Sequence, residues 1–258
     1  MRQNFPLKEY LEQLWEQYEC PAFIEQDPIQ VPHRFTRNED IEIAAFLTAT
    51  ISWGQRANTI RSAIKLMQLL DNAPYDYLLN ASANDWKRFK HFTYRTFQSI
   101  DCLYFLQTLQ AIYLSGSSLE NLFTTGFRQN NSIVSALIYF RTQFLSYAPP
   151  DRTVKHVADV NKGAAAKRLN MFLRWMVRSN KRGVDFGLWK NIPQSALIIP
   201  MDVHVVASVQ RLGLLSRKNI DWRAAEEVTR YLRQFDPDDP VKYDFALFGM
   251  SVKNKCNV

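Results

Sequence analysis

Two short segments of the chain contain the residue types from which a catalytic site can be built. Residues 199–214 (IPMDVHVVASVQRLGL) place Asp202 after an apolar Pro-Met pair, at the start of a predicted helix. Residues 163–173 (GAAAKRLNMFL) place Lys167 beside Arg168. A carboxylate stabilises positive charge that develops in a transition state, and a lysine amine becomes nucleophilic when burial and cationic neighbours lower its pKa. Aspartate is also a favoured helix N-cap, so Asp202 has a purely structural explanation too.

Two other segments contribute further candidates. Gln55 follows a predicted helix within residues 49–58 (ATISWGQRAN), where a glutamine is ordinarily a surface residue. Asp244 and Phe248 lie four positions apart in YDFALF. Without a function, Asp244 is explained as an exposed helix residue and Phe248 as a core residue. These three side chains gain significance only from their order relative to Lys167 and Asp202.

Taken in that order, the segments resemble the helix-hairpin-helix DNA glycosylase superfamily, which includes endonuclease III and the archaeal 8-oxoguanine glycosylases. PMDVHV is similar to the superfamily's Pro-Val-Asp-Thr-His-Val signature, and a trailing Arg-Leu-Gly follows in both. GAAAKRL looks like its Gly-Val-Gly-Arg-Lys-Thr-Ala hairpin, and ATISWGQRAN resembles its Leu-Leu-Ser-x-Gln-x-Thr corner. The resemblance implies an all-α, two-lobed fold in which Lys167 is the attacking amine and Asp202 the assisting carboxylate.

The same resemblance implies roles for the remaining candidates. Gln55 would fill the gap left by an extruded nucleotide, and Gly163 and Arg168 would contact DNA. Asp244 and Phe248 would line the base pocket, with Phe in place of the Trp of the archaeal enzymes. The implied partner is double-stranded DNA with a damaged base, oxidised guanine being the nearest analogy, or with an abasic site, and no cofactor is implied.

The sequence departs from the superfamily pattern in three places. Ala165 replaces the second hairpin glycine, so we expect an altered turn, because alanine adopts positive φ less readily than glycine. Lys167 and Asp202 are 35 positions apart, more than in endonuclease III, with the extra length at residues 179–195. The four-cysteine cluster of many endonuclease III chains is absent, and Cys256 alone cannot hold an iron-sulfur cluster.

The expected chemistry follows from the reaction that these relatives catalyse. Release of a base develops positive charge on the sugar, which Asp202 would stabilise, and attack by Lys167 at C1′ would give a Schiff base and then strand cleavage. Three alternatives stay open. They are a DNA-binding module of the same fold without the chemistry, an enzyme of that fold acting on another nucleic acid or without lyase activity, and a helical interaction protein with accidental matches.

The composition favours an anionic partner and a reduced compartment. The formal charge is +7, and residues 152–190 contain ten Lys or Arg against two Asp, which makes that segment the expected anion-facing surface. The three cysteines are far apart, and the four histidines lack metal-ligand spacing, so no metal site is expected. No leader or membrane-length apolar run is apparent, so we expect a cytoplasmic monomer.

Hydrophobic periodicity of three and four residues predicts helices along most of the chain. The predicted helices cover approximately residues 5–18, 41–53, 58–70, 101–114, 131–145, 165–177, 202–212, 222–232 and 240–252. Residues 27–32 (DPIQVP) are expected to be extended, and residues 147–151 (YAPPD) form the clearest break. We expect one lobe from residues 41–178 and a second from residues 1–40 with 179–258.

Blocks distributed over the whole chain indicate a second resemblance. DPIQVPH, RWMVR and DPVKYDF, which contain Asp27, Arg174 and Asp239, are similar to blocks of a bacterial protein family of uncharacterised function. This similarity implies no reaction. Arg174 and Arg178 in the second block are expected on a solvated helix face beside a buried Trp175.

Overall fold

The computed structural model describes residues 7–251, and this part of the chain is all-α. It contains twelve α-helices and several short 3-10 helices, and no β-strand occurs within it. The helices are α1 (Leu7–Tyr18), α2 (Pro21–Ile24), α3 (Asn38–Thr50), α4 (Arg56–Leu69), α5 (Pro74–Asn80), α6 (Ser99–Leu114), α7 (Leu119–Asn130), α8 (Ile133–Phe144), α9 (Lys167–Val177), α10 (Val203–Arg211), α11 (Trp222–Phe235) and α12 (Tyr243–Ser251).

The chain divides into two compact units. One unit, here the middle unit, is Gln26–Asp159 and contains α3 to α8. The other, the terminal unit, consists of the residues up to Glu25 and those from Val160 onward, and it contains α1, α2 and α9 to α12. None of the described helices is long and apolar enough to cross a membrane.

The core of the middle unit is aromatic. The ring of Phe46 on the buried helix α3 lies 5.9 Å from that of Phe105 on α6, and Phe140 and Phe144 of α8 lie 5.6 and 5.5 Å from it. Such edge-to-face and offset contacts add to the free energy gained by burying the rings. Helix α6 begins with a capping box formed by Gln98 and Asp101.

The terminal unit is built around α9 and α12. Helix α12 packs against both α1 and α10, and Trp175 of α9 and Tyr243 of α12 are fully buried. Helix α11 begins at the cap residue Asp221, which accepts a hydrogen bond from the Ala224 N–H at 2.9 Å. The fold thus holds the helices that carry Lys167, Asp202 and Asp244 within one hydrophobic core.

Every helix predicted from periodicity is present among the described residues, with ends shifted by a few positions. Helices α2, α5 and α7 were not predicted. Asn131 ends α7 in the left-handed conformation with φ of 49°, and Ser132 then caps α8. The helix expected at residues 131–145 is α8, which begins two positions later than expected because Asn131 is the C-cap of α7.

The expectation that residues 27–32 are extended was wrong. Pro28–Gln30 and Pro32–Arg34 are 3-10 helices, and Asp27 caps the first by accepting from the Ile29 N–H at 3.1 Å. Proline at the first position of a helical turn is favoured, because its fixed φ suits the turn and its missing N–H would have no partner there. Val31, although it precedes Pro32, adopts helical dihedral angles.

The unit boundaries also differ from the expected lobes. The chain passes from one unit to the other at 25/26 and 159/160, not at 40/41 and 178/179. Residues 160–178, expected to close the middle lobe, belong to the terminal unit because α9 packs into that unit's core. Lys167 and Asp202 therefore lie in the same unit.

Candidate functional site

Asp202 is the N-cap of α10. Its Oδ1 atom accepts hydrogen bonds from the N–H groups of His204 at 2.9 Å and Val205 at 2.8 Å. Both bonds fall on one carboxylate oxygen, so the cap does not involve Oδ2. Asp202 therefore has the capping role that its residue type suggested, and the cap uses only one of its two carboxylate oxygens.

The residues around Asp202 fix its position. Met201 before it is buried, and the Ile199 N–H donates to the Thr229 hydroxyl of α11 at 3.1 Å. His204 bonds through Nδ1 to the Ser251 Oγ at 2.9 Å, and its ring lies 5.3 Å from that of Phe248. These contacts hold the imidazole ring of His204 against α12.

Lys167 is the first residue of α9 and directly follows a tight turn. Two residues of this turn have positive φ, namely Gly163 at 82° and Ala166 at 49°. Ala165 does not, so the second positive φ of the turn occurs one residue after the position of the superfamily's second hairpin glycine. An L-residue in that conformation costs about 1–2 kcal/mol, so the turn is strained at Ala166.

The turn is anchored to the start of α11. The Trp222 N–H donates to the Gly163 carbonyl at 2.9 Å, and Ala164 forms an isolated antiparallel bridge with Asp221. The segment before the turn is only a short 3-10 helix, Val160–Lys162. The turn thus presents Lys167 from a fixed backbone, although the element before it is shorter than the α-helix of a helix-hairpin-helix.

Arg168 lies next to Lys167 and is half-buried. Burial lowers the pKa of its guanidinium to about 10, so the group remains charged at neutral pH. A fixed positive charge beside a lysine favours the neutral amine, as the proposed chemistry requires.

Arg174 links the Lys167 helix to α12. Its guanidinium, almost fully buried, donates through Nε to Asp185 at 3.2 Å and through Nη1 to Asp244. Because seven residues are two helical turns, Lys167 and Arg174 lie on one face of α9, about 10 Å apart along its axis. Lys167 therefore stands on the same face as the contact between Arg174 and Asp244.

The carboxylate of Asp244 connects this helix to Asp202. Burial raises the pKa of Asp244 to about 6, Arg174 opposes the shift, and the nearby negative charge of Asp202 adds to it. The expectation of an exposed Asp244 was wrong, whereas Phe248 is buried as expected of a core residue. The terminal unit thus brings together Asp202, Asp244 and Arg174, with Lys167 on the face of α9 that Arg174 shares.

A second buried arginine extends the network away from Asp202. Arg178 contacts Asp185 at 2.6 Å, Glu19 of the α1–α2 connection at 2.8 Å and Asp239 at 2.9 Å. The prediction that Arg174 and Arg178 form a solvated face was wrong, because both side chains are at most 5% exposed. Trp175 is buried as expected.

One feature of the sequence indicates this buried network, although the helical periodicity of α9 by itself predicts that Arg174 and Arg178 are exposed. Arg174 and Arg178 are spaced by four on α9. The acids that bind them are Asp185 a few positions later, Asp239 and Asp244 of the DPVKYDF block, and Glu19. Amphipathic patterning assigns such charges to solvent. The feature that indicates buried pairing is that basic residues occur in the RWMVR block and acidic residues in the DPVKYDF block.

The basic segment 152–190 is only partly an anion-facing surface. Arg152 binds Asp101, and Arg182 donates to the backbone carbonyls of Glu16 and Glu19. Arg174 and Arg178 also form ion pairs within the unit. The excess of positive charge counted along the sequence therefore overstates the charge that a partner could contact. Four lysines of the segment are exposed, at positions 155, 162, 181 and 190.

Gln55 lies in the middle unit, at the N-cap of α4. Its side chain is exposed and accepts a hydrogen bond from the Asn58 amide at 3.3 Å. Gly54 before it has φ of 90°, a conformation that favours glycine. No group of three or more His, Cys, Asp or Glu side chains among residues 7–251 is arranged to hold a metal ion. Cys256 lies outside the described residues.

Comparison with known protein families gives one match. The model of the family described as "Protein of unknown function (DUF2400)" matches residues 27–253, most of the chain. The chain belongs to this family. Neither the curated proteins nor the solved structures include a significant match.

The matched region of the DUF2400 family member includes the whole candidate site. Gln55, Lys167, Asp202 and Asp244 fall within residues 27–253, as does the buried pair of Arg174 and Asp185. Glu19, which completes the network around Arg178, lies before the matched region. The family assignment brings no reaction with it, so the function must be inferred from the site.

Proposed function

We propose that the protein is a base-excision repair enzyme, a DNA glycosylase with associated abasic-site lyase activity and the two-lobed helix-hairpin-helix glycosylase fold. Lys167 attacks C1′ of an extruded damaged nucleotide, and Asp202 assists. One observation carries the proposal. Lys167 and Asp202 each stand at the start of a helix in one unit. The buried contact between Arg174 and Asp244 joins the Lys167 helix to α12, and the nearby charge of Asp202 adds to the raised pKa of Asp244.

The proposed reaction uses the residues as follows. The neutral amine of Lys167 forms a bond to C1′ as the bond from C1′ to the base breaks, and the base leaves with the electron pair. Asp202 stabilises the positive charge that the sugar develops, an interaction stronger in the transition state than before it. The new C1′ ammonium gives one proton to the departing base, the C1′–O4′ bond then breaks as O4′ takes up a proton, and a protonated Schiff base forms. Removal of the C2′ proton leads to elimination of the 3′ phosphate, which cleaves the strand.

The helix starts suit this chemistry. Asp202 is held by the two backbone N–H groups of its own cap, so its carboxylate is oriented before substrate arrives. The positive charge of Arg168 beside Lys167 lowers the cost of deprotonating the amine. Exposed Val203, 78% accessible and next to Asp202, provides an apolar surface beside the reacting carboxylate.

The other implied roles complete the proposal. Gln55 enters the gap in the duplex, backbone N–H groups near Gly163 and the side chain of Arg168 contact the DNA, and Asp244 with Phe248 borders the base pocket. Extrusion of a nucleotide costs a few kcal/mol and is easiest for damaged or mispaired bases, which favours a lesion as substrate. Oxidised guanine is the first lesion to test.

The second candidate is a DNA-binding protein of the same fold without catalysis. Alanines at positions 164–166 favour it, because they leave the turn before Lys167 strained and without a second glycine. An enzyme of this fold that acts on another nucleic acid is the third. Both predict nucleic-acid binding without base release from damaged DNA.

Base release and strand cleavage distinguish these candidates. Duplexes with a single 8-oxoguanine, another damaged base or an abasic site are incubated with the wild-type protein, Lys167→Arg and Asp202→Asn. Lys167→Arg keeps the charge but cannot form the Schiff base, so strand cleavage falls by about a thousandfold or more. Asp202→Asn keeps the cap but not the charge, and we expect a loss of about a hundred- to a thousandfold.

A matched control removes a lysine without touching the reaction. Lys8→Ala deletes an exposed lysine of α1 in the same unit, outside the residues assigned to DNA, and is expected to cleave at nearly the wild-type rate. If no duplex is cleaved although all four proteins bind DNA, the catalytic proposal is wrong and the binding proposal replaces it.

A further inference from the structure

A strongly basic segment of the middle unit has no role in the proposed chemistry. In residues 86–97 (WKRFKHFTYRTF) apolar and basic side chains alternate irregularly, and no acidic residue occurs. The aromatic side chains are buried, namely Trp86, Phe89, Phe92, Tyr94 and Phe97. The basic ones are exposed, namely Lys87, Arg88, Lys90, His91 and Arg95, and together they are called the 87–95 surface.

The 87–95 surface follows α4 from its end to its start. Arg88 contacts Asp71, just beyond the C-terminus of α4, at 2.9 Å. The Tyr94 hydroxyl lies 2.9 Å from that of Thr59 in the first turn of α4. A helix of 14 residues is about 21 Å long, so the basic side chains are distributed over roughly that distance.

Arg95 is presented at the tip of a tight turn. Tyr94 and Phe97 form an isolated antiparallel bridge with hydrogen bonds of 2.8 and 2.9 Å, and Arg95 between them has φ of 52°. Strained conformations of this kind persist where the surrounding structure imposes them and are concentrated at functional sites.

The Arg95 guanidinium lies directly against Gly54. A Cβ atom added to Gly54 would stand 2.9 Å from Nη1 of Arg95, so the arginine packs where Gly54 has no side chain. Gln55 follows Gly54 in the chain. The 87–95 surface is therefore continuous with the corner that carries Gln55, within the same unit.

We propose that the 87–95 surface binds the phosphate backbone of duplex DNA alongside Gln55. Each strand of a duplex has one phosphate per about 3.4 Å of helix axis, so a surface about 20 Å long runs past roughly six of them. Arg88 is paired with Asp71, so the cations that would contact these phosphates are Lys87, Lys90 and Arg95. The buried aromatic residues fix the backbone, while the exposed lysine and arginine ends reach outward. This contact deepens the proposed function and rests on it for the placement of Gln55 at the duplex.

Salt dependence of binding to an undamaged duplex tests the proposal. The DNA affinities of the wild type and of the variant Lys90→Gln/Arg95→Gln are measured by fluorescence anisotropy at NaCl concentrations from about 50 mM to about 300 mM. Loss of two phosphate contacts lowers the slope of log affinity against log salt by about 2 and weakens binding by on the order of tenfold per contact near 0.1 M salt. The substituted side chains are exposed, so stability changes by about 0.5 kcal/mol or less.

A matched pair separates a local contact from net charge. Arg34→Gln/Arg128→Gln removes two exposed arginines from the same unit, outside the 87–95 surface, and should keep the wild-type slope. Equal losses in both double variants, or no loss in either, overturn the proposal. A second variant, Lys87→Gln/Lys90→Gln, leaves the strained Arg95 turn intact and should show the same direction of change.

The test also separates this proposal from the catalytic one. If the Lys90→Gln/Arg95→Gln variant loses salt-dependent affinity while no protein cleaves a damaged duplex, the 87–95 surface stands and the glycosylase proposal fails. If damaged duplexes are cleaved but the double variant binds as the wild type does, the surface proposal fails alone.

Discussion

Arg174 of α9 and Asp244 of α12 form a buried ion pair that joins the two helices nearest the candidate site. Their side chains are 5% and 9% exposed, and the guanidinium also binds Asp185. Arg174 thus compensates part of the negative charge of two buried carboxylates. One of them, Asp244, also interacts electrostatically with Asp202.

Replacing Arg174 by methionine should destabilise the protein strongly. The substitution keeps much of the packing volume but leaves Asp185 and Asp244 buried without this partner, a change that typically costs about 3–5 kcal/mol. Urea unfolding of both proteins measures the difference. Arg217→Met, which removes a half-exposed pair with Asp221, is the control and should cost about 1 kcal/mol or less.

Asp244 should make stability depend on pH between about 4 and 6. Burial raises its pKa to about 6 from the ordinary value of 3.8, so the folded protein holds a proton that the unfolded chain releases first. Stability from this group is therefore present at low pH and is lost as the pH rises through about 6.

The variant Asp244→Asn isolates this contribution. Relative to the wild type, the variant gains on the order of 3 kcal/mol between pH 4 and pH 7, since each pKa unit corresponds to about 1.4 kcal/mol. Urea unfolding of the two proteins at several pH values measures the gain. A constant difference between them across this range would contradict the assignment.

Two substitutions of Asp202 should separate its capping role from its proposed catalytic role. Asp202→Asn retains an oxygen that accepts from His204 and Val205, whereas Asp202→Ala removes the cap at a cost of about 1 kcal/mol. Thermal unfolding should therefore distinguish the two variants, while both lose most of the strand cleavage that the proposal expects. Asp221→Ala removes the corresponding cap of α11 and serves as the stability control.

The turn before Lys167 should respond to glycine in opposite ways at adjacent positions. Ala166→Gly relieves a left-handed alanine and should stabilise the protein by up to about 1 kcal/mol. Ala165→Gly restores the glycine of the superfamily pattern, yet the backbone there does not need it, so a loss of about 0.5–1 kcal/mol is expected. Chemical unfolding that ranked the two variants in the reverse order would place the strain elsewhere.

Helical periodicity predicted the fold class and most helices because their buried faces follow spacings of three and four residues. It missed the short helices α2 and α5, and it missed α7, which only Asn131 and Ser132 separate from α8. Short caps and turns of this kind depend on dihedral angles that sequence patterns do not specify.

The site was predictable to a similar degree. Asp202 as a helix start and Lys167 at the beginning of α9 followed from local residue order. The burial of Asp244 did not, because its partner Arg174 is 70 positions away and pairing over that separation depends on tertiary packing. The same holds for Arg95 and Gly54, which meet only once the 94–97 turn has formed.

Reductive trapping tests the central claim most directly. The protein is incubated with an abasic-site duplex and borohydride, and the covalent adduct is digested and mapped by mass spectrometry. We expect an adduct on Lys167 that is absent in Lys167→Arg and retained in Lys8→Ala. An adduct on another amine, or one that persists in Lys167→Arg, would contradict the assignment of Lys167 as the attacking residue.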